Sequence, residues 1–304
     1  MALAPVRGTL PLTDECHHYD DVREVPEELK KYWRQRYSIF TYYDYNIRLT
    51  DDAWFGVTPE PVAIQIAKDV RSHRRSSPPK DAIVDLFAGA GGNTIAFALS
   101  GRWDRVVAIE RDAATLACAQ HNAAVYGVPE GAVVWVLADC LDFLARLKRG
   151  AGVAGTGEGR VVVVDDDGDD DDDDDDDDGK NEKKQKKKKK GKTKTAAERC
   201  GLGLDPSLRL DPSRTVLFAS PPWGGVSYRD HDIFDLDTME PYNLATLHEA
   251  CRPMEHALYL PRTSDLRQIA ALVPDGGDAK VEVVQYCMEG ASKAMVAYFP
   301  AEQS

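Results

Sequence analysis

The 304-residue chain lacks several things, and each lack removes a class of protein. No apolar run approaches the ~20 residues that a bilayer-spanning helix needs. The opening Met1-Ala-Leu-Ala-Pro-Val-Arg-Gly8 has no long apolar core of the kind a secretory signal carries. Six cysteines (Cys16, Cys118, Cys140, Cys200, Cys251, Cys287) are scattered with no CxxC pair, which argues for free thiols in a reducing compartment and against a zinc site. Cys16-His17-His18 lacks partner ligands at metal spacing and is read as a solvated cluster, so no metal is expected. A basic balance is missing too. The formal net charge of −13 excludes a protein that coats nucleic acid through a broad basic surface.

Part of that charge lies in one tract. Between Asp165 and Lys194 stand 13 Asp and 1 Glu against 10 Lys, a net of −4 that leaves −9 for the rest. Any nucleic-acid contact of so acidic a body must be local. Like-charge blocks of this length bury no apolar area, so the stretch from about 150 to 213 is expected to be a disordered insertion in a loop. Val161–Val164 inside it has strand character, but Thr215–Ala219 supplies the needed strand. Such an insertion costs little, because closure entropy grows slowly with length. The Lys run suits a nuclear address or a solubilising spacer equally well.

What is present is a strand–helix alternation with a helical preface. Residues 1–22 are polar and turn-rich, a poorly ordered lead-in by expectation. Residues 23–75 predict a small helical extension. In it Leu29, Tyr32, Trp33, Tyr37 and Phe40 sit at helical spacing over 26–40, and Thr58 is placed to cap a second helix with Pro59 at its first position. From 76 to 304, strands at 82–86, 105–109, 132–137, 215–219, 257–260, 281–286 and 294–299 alternate with helices and close in a hairpin. That pattern predicts a Rossmann-like, seven-stranded mixed sheet.

Two loops of that sheet carry the chemistry. The first is Asp85-Leu-Phe-Ala-Gly-Ala-Gly-Gly-Asn-Thr94. Its Gly89 and Gly91 permit close backbone approach to a ligand. It is not GxGxxG, and Asp85 at the strand end would repel a pyrophosphate but attract an ammonium. Glu110, ending the second strand, suits a ribose diol, and Asp139, ending the third, an adenine amino group. Amino acid, ribose and adenine in that order describe S-adenosylmethionine, held by Asp85, Gly89, Gly91, Asn93, Thr94, Glu110 and Asp139. The second loop, Ser220-Pro-Pro-Trp-Gly-Gly225, follows a buried strand. Its prolines end the ladder and present Trp223 beyond the strand's carboxyl end. Trp223 is either a core residue or a platform for a base, and a base there implies methylation of an exocyclic nitrogen aimed by the carbonyls of Ser220 and Pro221.

The stretches Lys31-Tyr-Trp-Arg-Gln-Arg-Tyr37, Trp54-Phe-Gly-Val-Thr-Pro-Glu60, Asp85–Thr94, His121-Asn-Ala-Ala-Val-Tyr-Gly127 and Ser220–Gly225 together resemble the trimethylguanosine synthase family. These are cap-specific guanine-N2 RNA methyltransferases. The resemblance covers about Pro26 to Phe299 apart from the charged tract. It implies the class I S-adenosylmethionine-dependent methyltransferase fold, and conversion of the 7-methylguanosine cap of snRNA- or snoRNA-type RNAs to 2,2,7-trimethylguanosine. It further implies Trp223 stacked on 7-methylguanine and Ser220 and Pro221 on N2, with Asn122 near the guanine. Lys31, Arg48, Tyr228 and Arg262 would hold the cap phosphates, and Phe40 and Thr58 would cover the cofactor or substrate. RNP proteins as partners and a nuclear, nucleolar location follow from the same resemblance. Two positions depart from the family pattern: Glu110 stands for an Asp, and Gly56 for a Ser. An adenine or cytosine amino-methyltransferase and a non-catalytic cap-binding protein are the alternatives.

Overall fold

Short apolar runs bounded by turn residues become the strands of one sheet. In chain order these are β1 Ala82–Asp85, β2 Arg105–Glu110, β3 Val133–Leu137, β4 Thr215–Ala219, β5 Glu255–Pro261, β6 Glu282–Met288 and β7 Ala291–Phe299. The computed structural model describes residues 2–72, 79–150, 203–224, 232–273 and 280–302. Across the sheet the order is β3-β2-β1-β4-β5-β7-β6. β1 to β5 run parallel, while β7 is antiparallel to both β5 and β6. The seven-stranded mixed sheet expected from the sequence is therefore present. A parallel sheet needs both faces covered, and β1 and β4 are accordingly buried at every position.

The helices are α1 Lys30–Trp33, α2 Arg36–Ile39, α3 Ala53–Gly56, α4 Glu60–Ser72, α5 Gly92–Leu99, α6 Ala113–Val125 and α7 Cys140–Gly150, followed by Leu244–Cys251 and Leu266–Ala271. Strand alternation sorts the core into two layers. Val84, Val107, Ile109 and Leu217 meet Phe143, Leu144 and Leu247 on one face. Ile83, Val106, Val216 and Phe218 meet Val62, Ile66 and Phe97 on the other. A third cluster joins Leu29, Phe40, Tyr43 and Trp54 to Ile95 of α5 and Ala117 of α6. The direction of winding reverses between neighbours β1 and β4, and such a switch point opens a crevice beyond the strands' carboxyl ends.

Three expectations need correction. The single helix over 26–40 is broken into a 3-10 turn, α1 and α2, with Gln35 at φ −100°, ψ 11° between the last two. Tertiary ties override the helical spacing: Trp33 Nε1 donates to the Tyr19 carbonyl at 2.9 Å, and the Arg36 guanidinium lies 3.7 Å over the Trp33 ring. Aromatic residues are also weak helix formers. Second, the lead-in packs as a strap across the domain. Leu3 bridges Leu204, Val6 N donates to Trp135 O at 2.8 Å, Leu10 N donates to Gln120 Oε1 at 2.8 Å, and Cys16 is buried. Third, the last part of the stretch assigned to the insertion, 203–213, covers the core with buried Leu204 and Leu208. Its two 3-10 turns are each capped by an Asp ahead of a Pro, Asp205 and Asp211. The Asp and Lys runs and Val161–Val164 lie outside the described residues.

Candidate active site

The crevice at the switch point is a cavity of about 790 Å³. Gly89, Gly92 and Asn93 after β1, Glu110 and Asp139 at the ends of β2 and β3, Thr58 ahead of α4, and Ser220 and Pro222 after β4 all wall it. Among the described residues no group of His, Cys, Asp and Glu is arranged to hold a metal.

The glycine loop is held open from beneath. Gly91 takes φ +95° as the N-cap of α5, and a Cβ there would stand 3.3 Å from the Ala119 backbone. Only glycine meets both demands at low cost. Asp85 is fully buried and accepts the Thr94 hydroxyl at 2.6 Å. Burial pushes its carboxyl up to about 7, with the Thr94 and Phe87 hydrogen bonds pulling the other way. Neither Asp85 nor Thr94 walls the cavity. The direct ammonium contact read from the sequence is thus corrected: Asp85 pins α5 to β1 and acts on the cavity only through the loop.

Asn93 joins three elements. Its Nδ2 donates to Thr58 Oγ1 at 3.0 Å and reaches Ser220 Oγ at 3.5 Å, while its Oδ1 is buried with no partner among the described residues. The Thr58 hydroxyl, expected to cap a helix, is engaged here instead. Glu110 accepts backbone N–H bonds from Gly89 (3.0 Å), Arg111 (2.8 Å) and Asp112 (3.0 Å). Burial pushes its carboxyl up against the pull of those bonds. Asp139 caps α7 through Leu141 N at 2.8 Å and also accepts the Tyr242 hydroxyl. Burial and that carboxylate push the Tyr242 phenol up to about 12.

The turn after β4 is held by longer bonds. Ser220 Oγ donates to Phe87 O at 3.4 Å, and Pro221 is buried beside it. Trp223 stacks on Tyr259 with centroids 5.7 Å apart and planes 18° apart, and its Nε1 donates to Tyr259 O at 3.4 Å. The ring is half-buried against both core layers and does not itself wall the cavity. One of its faces therefore serves packing, as the plainer of the two sequence readings has it.

Other expected residues stand elsewhere. Asn122 is fully buried; its Oδ1 accepts Arg48 N at 2.8 Å and its Nδ2 donates to Arg48 O (2.8 Å) and Ala90 O (2.9 Å). With both amide hydrogens spent, Asn122 supports the Arg48 segment and does not contact a base. The Arg48 guanidinium donates to Cys16 O at 3.1 Å. Lys31 on α1 and Arg262 after β5 are exposed and, like Arg48, lie outside the cavity wall. Phe40 is buried against Tyr126 and faces a second cavity. Tyr228 falls outside the described residues. The sequence reading missed Tyr242, which no local pattern marks, Glu15 and His17, which wall the cavity because the strap carries its end to the rim, and Asp51 in the turn ahead of α3.

Comparison with known proteins identifies the family. Residues 80–302 match the profile of the family described as RNA cap guanine-N2 methyltransferase. The trimethylguanosine synthase of Schizosaccharomyces pombe is 30% identical over 277 residues, 90% of this chain and 87% of the relative. That of Saccharomyces cerevisiae is 27% identical over 247 residues, 80% of this chain and 58% of the relative. A solved structure described as a methyltransferase from Porphyromonas gingivalis W83 aligns with a TM-score of 0.52 at 14% identity, over 92% of this chain and 52% of that one. The last comparison concerns the fold alone, which with the sheet order is that of the class I methyltransferases. By its profile and its relatives, the chain belongs to the RNA cap guanine-N2 methyltransferase family.

Proposed function

We propose that this chain methylates guanine N2 in the 7-methylguanosine cap of RNA, yielding 2,2,7-trimethylguanosine, with S-adenosylmethionine as donor. One observation carries the reading: Asn93 of the glycine loop and Ser220 of the Ser-Pro-Pro-Trp turn meet in one cavity. A donor held by the first loop then lies beside a base held by the second.

The residues present fit the cofactor. Asn93 Oδ1 is a buried acceptor with no partner among the described residues. At Gly92 a Cβ would stand 3.3 Å from Val57 Cγ2, so backbone alone forms that wall. Glu110 and Asp139 offer carboxylate lone pairs to a diol and an amino group. When bound, S-adenosylmethionine supplies a methyl group on a cationic sulfur, an electrophile.

The chain's own part is orientation. An exocyclic guanine nitrogen is a weak nucleophile because its lone pair is delocalised into the ring. The carbonyls of Ser220 and Pro221 accept its N–H bonds and turn the lone pair toward the methyl group. No base is needed before attack, since the proton leaves afterwards, and positioning supplies much of the acceleration. Trp223, steadied by Tyr259, stacks on the base. The positive charge of 7-methylguanine adds a cation–π contribution of roughly 0.5–2 kcal/mol that guanine lacks. That difference favours a base that already carries the N7 methyl by roughly 2- to 30-fold. Lys31, Arg48, Tyr228 and Arg262 are the proposed phosphate contacts, a short set suited to an acidic body. Substrates of the snRNA and snoRNA type, RNP partners and a nucleolar location belong to the same proposal, the last also supported by the Lys run.

Labelled S-adenosylmethionine incubated with 7-methylguanosine diphosphate, guanosine diphosphate or an adenine oligonucleotide tests it. Transfer to the first alone is expected. Transfer to the oligonucleotide would point to an adenine amino-methyltransferase, and transfer to none to a cap-binding protein.

A further inference from the structure

Part of the active-site cavity is walled by the N-terminal strap and by the turn that the strap pairs with. Glu15 and His17 come from the strap, Thr50 and Asp51 from the turn, and Thr115 from α6. The strap end is fastened there. His17 N donates to Leu49 O at 2.9 Å, and Leu49 N donates to His17 O at 3.0 Å. Cys16 Sγ donates to Ala114 O at 3.4 Å, and the Thr50 and Thr115 hydroxyls meet at 3.0 Å. Ala114 and Thr115 lie in the first turn of α6, just after Glu110 in the chain. The strap end is therefore docked beside the acid that suits a ribose diol.

The His17 ring is set from two sides. It stacks on Tyr19 with centroids 5.2 Å apart and planes 17° apart. The Tyr19 hydroxyl donates to Asp51 Oδ1 at 2.8 Å, and the same oxygen stands 3.9 Å from His17 Nε2. No hydrogen bond forms at that distance, and among the described residues neither ring nitrogen has one. Its polar neighbours are engaged: Thr50 with Thr115, Asp112 with Thr115 N at 2.7 Å.

Glu110 by itself does not satisfy a diol. A carboxylate offers about four lone-pair sites. Arg111 N and Asp112 N occupy two at Oε1, and Gly89 N occupies one at Oε2. A diol brings two O–H donors. One of them needs an acceptor other than Glu110, and a polar group enclosed without one is costly.

We propose that His17 supplies that acceptor, so that the N-terminal strap is part of the cofactor site and His17 binds one ribose hydroxyl of S-adenosylmethionine. The inference rests on the donor assignment made above, and its test separates the two.

The test is calorimetry on the full chain with S-adenosylhomocysteine, which has the same ribose and no methyl to transfer, and with its 2′-deoxy and 3′-deoxy forms. His17→Ala should weaken S-adenosylhomocysteine roughly two- to tenfold, the range of one net hydrogen bond. Wild type should bind each deoxy form less tightly than the parent, and for one of the two His17→Ala should show no such difference. That comparison is made within one variant, so a loss of stability common to all three ligands cancels. His17→Gln, which returns an acceptor, should recover part of the affinity. His17→Phe, which can still stack on Tyr19, should recover none. Full recovery by His17→Phe overturns the proposal, as does a deoxy penalty that persists in His17→Ala or that Glu15→Gln removes instead. A wild type that binds no S-adenosylhomocysteine refutes the donor assignment as well.

Discussion

The loop after β1 and the turn after β4 face each other across one cavity, yet they are held in different ways. Around the first, most bonds are short: Asp85 to Thr94 at 2.6 Å, Glu110 to Gly89 at 3.0 Å, Asn93 to Thr58 at 3.0 Å, with Phe87 N to Asp85 longer at 3.4 Å. Around the second they are long: Ser220 to Phe87 at 3.4 Å, Asn93 to Ser220 at 3.5 Å, Trp223 to Tyr259 at 3.4 Å. Bonds at the longer limit are weak. The first loop is therefore a preformed cradle, which suits a cofactor that must bind unaided. Among its described contacts the second is held by those longer bonds and by Trp223 stacked on Tyr259, which suits a residue whose energy is spent on a substrate.

The sharpest way to separate the two is Trp223→Ala. A stacked base contributes about 1–3 kcal/mol, so kcat/KM on the capped substrate should fall roughly 100-fold. Cofactor affinity, measured by calorimetry, should stay within about twofold, and Trp223→Phe should recover part of the loss. Equal loss of cofactor binding would mean that the ring only packs.

Asn93→Ala probes the cradle. It removes the unpartnered acceptor and leaves the Thr58 hydroxyl without its donor, which for a buried group costs about 1–3 kcal/mol. Cofactor affinity should fall roughly tenfold while binding of 7-methylguanosine diphosphate alone holds steady. If both weaken together, the two loops act as one unit and the contrast between them fails.

The smallest effect lies beneath the cradle. Asp85 is held at about 7 against an ordinary 3.8, chiefly by burial. Between those values the folded state keeps a proton that the unfolded state has released, so Asp85 makes stability fall as pH rises through that window. Asp85→Asn retains an acceptor for Thr94 and should flatten that slope in urea unfolding at about pH 5 and pH 7. His256, pushed down to about 3 by burial, has the opposite sign. Its contribution is present above about 6.5 and is lost as pH falls toward 3. It should do so equally in wild type and variant.

How far the site was legible follows the range of its interactions. Gly89 and Gly91 and the strands at 82–86 and 215–219 declare themselves through local pattern and backbone freedom. Asp85 does not: the sequence places an acid at a strand end, but Thr94, nine residues on, takes up its carboxylate. Asn122 is drawn to Arg48 across 74 residues and Tyr242 to Asp139 across 103, pairings that no spacing rule reveals. Phe40 was set on a helical face with Leu29 and Tyr37, and the break at Gln35 turned it to another cavity.

By itself the sequence determined the order of strands and helices, the two loops at the strand ends, and the family those loops resemble. Periodicity and turn chemistry act over a few residues and survive in the bare string. Tertiary structure alone decided that the N-terminal strap is ordered, that Asp85 and Asn122 brace the fold and do not reach a ligand, and that one face of Trp223 rests on Tyr259. Each of these depends on burial, which exists only once distant segments exclude water from one another.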